Sequence, residues 1–302
     1  MIFKYVIKKS ETVKSFLQRH DYSKKTISAI KHNGALLVNG HPVTVRKEMT
    51  VGDQFEVHMP IEEPSSNLLP YPKPLDIVFE DEFILIVNKP QSQNCAPSRE
   101  HPHESLVEQV LAYLMNKDVQ TNPHIVTRLD RNTSGLVLFA KFGHIHHLFS
   151  KVKFEKEYIC LAYGRTQPEG VVEAPIARDS DSIITRKVSD KGKYAKTSYY
   201  TIVQNNTLSL CKVKLHTGRT HQIRVHFQFM GHPIVGDDLY GGVHHLVKGQ
   251  SLQCCSLKFV HPINNNKISI NIDYKQLIQL FNFLSESGGR AGYFVSRRVD
   301  LC

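Results

Sequence analysis

Residues Arg128-Leu129-Asp130-Arg131-Asn132-Thr133-Ser134-Gly135 lie between two apolar runs, His124-Ile125-Val126-Thr127 and Leu136-Val137-Leu138-Phe139-Ala140-Lys141. Both flanks are rich in β-branched and large apolar side chains, which predicts two buried strands. The Asn132-Thr133-Ser134-Gly135 end of the insert is turn chemistry. The pattern places one acid, Asp130, on a tight loop at the end of a strand, with arginines on both sides of it. Nearby positive charge favours an ionised carboxylate, which suits a nucleophile better than a proton donor. Taken alone, Asp130 reads first as a loop ion pair or an Asx-turn; the rest of the chain has to decide.

Upstream, Leu75–Phe79 and Phe83–Val87 read as strands around the turn Glu80-Asp81-Glu82, and Asn88-Lys89-Pro90 ends the second. Leu106, Val107, Val110, Leu111, Leu114 and Met115 form an amphipathic helix stripe that reads as core. Downstream, Ile145, Leu148, Phe149 and Val152 suggest a helix, with His144, His146 and His147 on its surface, and Lys156–Gly164 a strand. Residues 171–216 hold several further strands, including Thr197–Val203 and Leu208–Leu215. Thr220 is placed to cap a helix of about ten residues. A strand at Ile268–Ile272 and a helix carrying Leu277, Ile278, Phe281 and Leu284 close the ordered part, leaving 285–302 as a flexible tail.

The first sixty residues differ in character. Val13, Phe16 and Leu17 recur at helical spacing, and Ser23 opens a second helix with Lys24 and Lys25 in its first turn. Asn33-Gly34 stops it, and short strands follow at Ala35–Val38, Val43–Val45 and Gln54–Val57, the first two joined by an Asn39-Gly40 hairpin turn. Lysines at a helix start can meet phosphates, and the helix N-terminus adds backbone donors. Pro60, Pro64, Pro70, Pro72 and Pro74 then exclude regular structure, so a semi-rigid linker is assigned to 61–74, between units at 1–60 and 75–284.

The chain of 302 residues is 41% hydrophobic and 22% charged, the balance of an ordinary soluble protein with room for a large core. A net charge of +10 points to a polyanionic partner, nucleic acid first. The six cysteines include no Cys-x-x-Cys spacing, so neither a zinc site nor a disulfide framework is expected, and a reducing cytoplasm fits. Met1–Ser10 is short and interrupted by lysines, unlike a signal peptide, and no apolar run approaches a membrane span. His221 and His226 are five apart, poorly placed on one helix face, so no metal is expected.

Residues 75–273 resemble the catalytic domain of the RluA-type RNA pseudouridine synthases. The resemblance rests on Leu85-Ile86-Val87-Asn88-Lys89-Pro90, Arg128–Leu136, Lys156-Glu157-Tyr158 and Lys193-Tyr194-Ala195-Lys196-Thr197. It continues through Thr217-Gly218-Arg219-Thr220-His221-Gln222-Ile223-Arg224-Val225-His226 and Gly231-His232-Pro233-Ile234-Val235-Gly236-Asp237. The unit at 1–60 resembles the α-L RNA-binding domain, on Val13–Leu17, Ser23–Ile27, Asn33-Gly34, Val38-Asn39-Gly40 and Gly52-Asp53. The resemblance implies an α+β fold, with a mainly antiparallel mixed sheet, flanking helices and a small RNA-binding α/β domain in front.

It also implies isomerisation of uridine to pseudouridine in RNA by a monomer without cofactor, with ribosomal large-subunit RNA expected first and transfer RNA second. Asp130 would be the nucleophile, Arg224 its ion-pair partner and Tyr158 the ring stacked on the target base. Arg128 would fill the place of the flipped base, and Lys89 would meet phosphate. Read without the resemblance, Tyr158 is a core residue and Arg224 a structural ion pair. The same two domains would also serve a non-catalytic RNA-binding or chaperone protein. Departures from the family pattern fall at Thr127, Ser92, Ala96 and Gln253, where histidine or glycine is common, and bear on which RNA is read.

Overall fold

In the computed structural model, which describes residues 1–180, 182 and 184–287, the strand Ser134–Ala140 lies inside a ten-stranded sheet. Gly135 through Ala140 are all buried, as a strand covered on both faces requires. Leu136, Leu138 and Ala140 pack on one side with Ile84, Ile86, Tyr158 and Phe227. Val137 and Phe139 pack on the other, against Leu106, Val110 and Leu114 of the helix Leu106–Asn116. The expected stripe is therefore core, although Met115 at its end is 52% exposed.

Ser134–Ala140 pairs antiparallel with Ile84–Lys89 on one side and parallel with Leu252–Val260 on the other. Leu252–Val260 in turn runs antiparallel to Glu155–Tyr163, which continues through Leu208–Leu215 and Lys196–Gln204 to the edge at Glu169–Glu173. Most pairs are antiparallel and helices flank both faces, which makes the architecture α+β as expected. The sequence reading missed Leu252–Val260 altogether. The C-terminal helix runs Lys275–Ser287, so 285–287 belong to it rather than to a tail; 288–302 lie outside the described residues.

The N-terminal unit has its own four-stranded sheet, and its helices Val13–Arg19 and Lys24–Asn33 are capped by Thr12 and Ser23. The expected turn is present, with Asn39 and Gly40 at φ 51° and 79°. Its return strand is His41–Pro42 rather than Val43–Val45. Beyond Pro42 the chain leaves the sheet, and the carbonyls of Val45 and Lys47 accept from the free N–H groups of Lys14 and Val13 at the helix start.

This unit packs onto the larger one. Phe3 stacks on Phe83 at 6.2 Å, and Tyr22 on His144 at 4.1 Å. His144 is thus buried, not a surface residue, and burial lowers its pKa to about 4. No helix or strand lies between His58 and Ile77, but the connector is fastened: Glu62 accepts from the Gly143 N–H and bonds His124 Nε2, both at 2.7 Å.

One transverse row of the sheet aligns Lys89, Gly135, Cys254, Tyr158, Val213 and Tyr199. Gly135 has φ +109°, and a Cβ there would lie 2.2 Å from the Cys254 carbonyl oxygen. Lys89 is fully buried, and its ammonium donates to the carbonyls of Pro90, Gln93 and Arg131 at 2.8, 2.9 and 2.9 Å. Burial lowers its pKa to about 8.

Gly135→Ala is expected to cost about 2–4 kcal/mol by strain and clash, lowering the melting temperature by roughly 5–10 °C. An unchanged melting curve would show that these two strands do not meet as described. Lys89→Met, which leaves three carbonyls without their donor, should destabilise by about 2–4 kcal/mol in a denaturant titration. Wild-type stability would contradict the buried anchor.

Candidate active site

The loop ahead of Ser134–Ala140 is fixed at both ends. Only His124–Ile125 pairs with that strand, a shorter strand than expected. From Val126 the ladder gives way, because the N–H groups of Val126 and Thr127 converge on one carbonyl, that of Leu138. The Thr127 hydroxyl then takes over as acceptor for the Leu138 N–H at 3.0 Å. Cys95 Sγ lies within 3.4 Å of both backbone groups of Leu129, and Lys89 holds the carbonyl of Arg131. Asp130 is therefore gripped through its neighbours on either side while its own side chain stays 30% exposed.

Arg224 projects from the helix Gln222–Phe229 to meet it, Nη1 to Oδ2 at 3.1 Å. The guanidinium is 4% exposed and turns its other edge to Asp237, Nε to Oδ2 at 2.7 Å and Nη2 to Oδ1 at 2.8 Å. Burial opposes the Arg224 charge, but the hydrogen bonds and charge of Asp237, joined by Asp130, more than offset it and raise its pKa. The helix begins one residue after His221, which sits in the left-handed region at φ 56°; His221, not Thr220, occupies the cap position. This conformation turns the His221 ring toward the loop, with Nε2 at 3.7 Å from Asp130 Oδ2.

Tyr158 lies on Glu155–Tyr163, two strands from Ser134–Ala140, and is 5% exposed. Its hydroxyl pKa is raised well above the usual range, by burial first, then by Cys254, with the charge of Asp130 also contributing. Asp130 and Arg224 thus come from a loop and a helix far apart in sequence and meet, while Tyr158 lies on a strand close enough for the charge of Asp130 to act on its hydroxyl. Arg128 is exposed on the same loop. Lys24 and Lys25 are exposed in the first turn of their helix in the N-terminal unit. Lys89 does not face RNA: its three protons are committed to carbonyls beneath the loop, so it supports the Asp130 loop instead of binding phosphate.

The sequence reading assigned no role to Asp237 or Tyr240. Asp237 closed a quoted motif, and an acid after the apolar Pro233-Ile234-Val235 run was its one signal. Tyr240, 1% exposed, lies with its ring 4.9 Å from the Arg224 guanidinium carbon. Ser92, at a position where glycine is common, has φ 62°, a conformation that glycine adopts without strain. His226 is separate from the site, bound to Thr197 and the Ala174 carbonyl. Among the described residues, no group of three or more His, Cys, Asp or Glu is placed to hold a metal ion.

The known proteins that this chain is similar to are named for one activity. Residues 83–229 match the family model described as RNA pseudouridylate synthase. The chain is 39% identical to "Uncharacterized RNA pseudouridine synthase YjbO" of Bacillus subtilis, over 88% of this chain and 96% of that one. It is 35% identical to ribosomal large subunit pseudouridine synthase D of Zymomonas mobilis, over 76% and 78% of the two chains. Among solved structures, human RNA pseudouridylate synthase domain containing 1 shares the fold, with a TM-score of 0.56 at 22% identity over 73% of this chain and 97% of that one. Relatives this similar along most of their length make the chain a member of the RNA pseudouridine synthase family, whose members are isomerases.

Proposed function

We propose that this synthase acts on large-subunit ribosomal RNA and uses Asp130 as its nucleophile. The observation that carries the catalytic assignment is the Arg224–Asp130 contact at 3.1 Å, made by a guanidinium that is itself locked on Asp237. An acid held by its neighbours' backbone, aimed by a fixed cation and still 30% exposed is preorganised to attack. In the isomerisation the bond from ribose carbon 1 to uracil N1 breaks, the base turns, and a new bond joins that carbon to C5. The proton leaves C5 and N1 regains one, and the bond that Asp130 forms to the substrate breaks again before release, so atoms and electrons balance with no cofactor. Tyr158, at the Asp130 end of its strand, keeps the detached base within the site. Arg128, exposed beside the nucleophile, takes the place of the flipped base in the stack.

The ribosomal target is supported by relatives such as the Zymomonas mobilis protein, whose name specifies the large ribosomal subunit. The N-terminal unit supplies affinity: Lys24 and Lys25 stand at the start of the helix Lys24–Asn33, where backbone N–H groups also face outward.

Asp130→Asn should abolish tritium release from C5-labelled uridine in total RNA of a strain lacking the enzyme, while RNA affinity stays within a factor of about two. A variant with substantial turnover would remove Asp130 from the nucleophile role. Reversing charge with Lys24→Glu and Lys25→Glu together should weaken RNA binding and reduce the slope of affinity against salt by about two. An unchanged slope would show that this helix does not touch RNA.

A further inference from the structure

Two groups face the same oxygen of Asp130. Arg224 Nη1 is one, and His221 Nε2, at 3.7 Å from Oδ2, is the other. Among the described residues no hydrogen bond engages Asp130 Oδ1. The second nitrogen of His221, Nδ1, lies 2.8 Å from the hydroxyl of Tyr240. That hydroxyl already accepts the backbone N–H of Arg186 at 2.9 Å. The phenol proton is then left to donate, and His221 Nδ1 is the acceptor within reach. A neutral imidazole that accepts at Nδ1 carries its one proton on Nε2, the nitrogen that faces Asp130.

We infer that Tyr240 and His221 form a positioning relay, in which the phenol fixes the imidazole tautomer and the imidazole presents an N–H to Asp130 Oδ2. Oδ2 is thereby held from two directions, and Oδ1 is the oxygen left to attack. At 3.7 Å the contact in the free enzyme is electrostatic. Catalytic hydrogen bonds that are long in the free enzyme shorten when substrate closes the site. Tyr240 also ties the two holders together: its ring lies edge-on to His221 at 5.7 Å and beneath the Arg224 guanidinium. The relay needs a neutral ring, and the surroundings favour one. Burial is the largest influence and lowers the His221 pKa; Arg224 and Arg186 act in the same direction, against Asp130 and Asp237.

The relay rests on Asp130 being the nucleophile, so its tests are chosen to read separately. The first is an NMR titration of the His221 ring, assigned by the resonance lost in His221→Gln. A hydrogen bond donated to Nδ1 stabilises the neutral ring, so Tyr240→Phe should raise the His221 pKa. An unchanged or lowered value would mean that the phenol accepts from Nδ1 or does not bond it, and would overturn the tautomer. Melting curves of the variants establish that the fold is intact.

The second test is kinetic, by tritium release from C5-labelled RNA. His221→Ala should lower kcat about tenfold with KM nearly unchanged. His221→Gln, whose amide N–H can reach the same oxygen, should keep more of the rate than His221→Ala. Wild-type kcat in His221→Ala, or equal losses in the two variants, would end the positioning role. Activity surviving in Asp130→Asn would instead end the nucleophile assignment, whatever the titration shows.

Discussion

The guanidinium of Arg224, shared between Asp130 and Asp237, is the interaction on which the site depends. Both the arginine and Asp237 are almost out of water, and a buried charge is tolerated only when fully paired. Two bonds to Asp237 satisfy one edge of the fork and fix its plane. Three N–H bonds remain; the fixed plane sets the direction of the one on Nη1 that meets Asp130, and the loop places the carboxylate there. Losing either end of such a pair costs about 3–5 kcal/mol in typical cases, because the other charge is stranded. The arrangement therefore requires the helix, the loop and the segment around Asp237 to be assembled together.

The sheet makes that assembly possible. Parallel pairing of Ser134–Ala140 with Leu252–Val260 brings a backbone against Gly135 so closely that no side chain fits. Antiparallel pairing of the same strand with Glu155–Tyr163 then puts Tyr158 opposite Cys254, one strand further along. Tyr158 and the Asp130 loop are thus linked by register rather than by direct contact. Beneath them Lys89 replaces what would be loose carbonyls with a three-way clamp.

Much of this was legible in the sequence, and what was not has physical causes. Continuous apolar runs revealed Ile84–Lys89 and Ser134–Ala140, since strands buried on both faces need no alternation. Leu252–Val260 escaped notice because Gln253, Cys254, Cys255 and Ser256 carry no β-branched signal, although the strand joins both halves of the sheet. Asp130, Arg224 and Tyr158 were singled out through motif resemblance; spacing alone gave no hint that Arg224 meets Asp130. Lys89 was misread because a lysine before a proline is ordinarily solvated, and only the fold reveals three carbonyls around it. Asp237 bonds Arg224, and Tyr240 touches both Arg224 and His221; contacts of that kind leave no local pattern.

The ring stack of Tyr22 on His144, the contact of Phe3 with Phe83 and the fastening of Glu62 remove the swivel that a proline-rich connector would otherwise give. The two lysines at the start of the second helix consequently sit at one set distance from Asp130. The molecule is then a gauge rather than a tether. On the proposal that the lysines hold RNA and Asp130 attacks, the uridines within reach of such a rigid body are those at that span along the folded surface of the RNA.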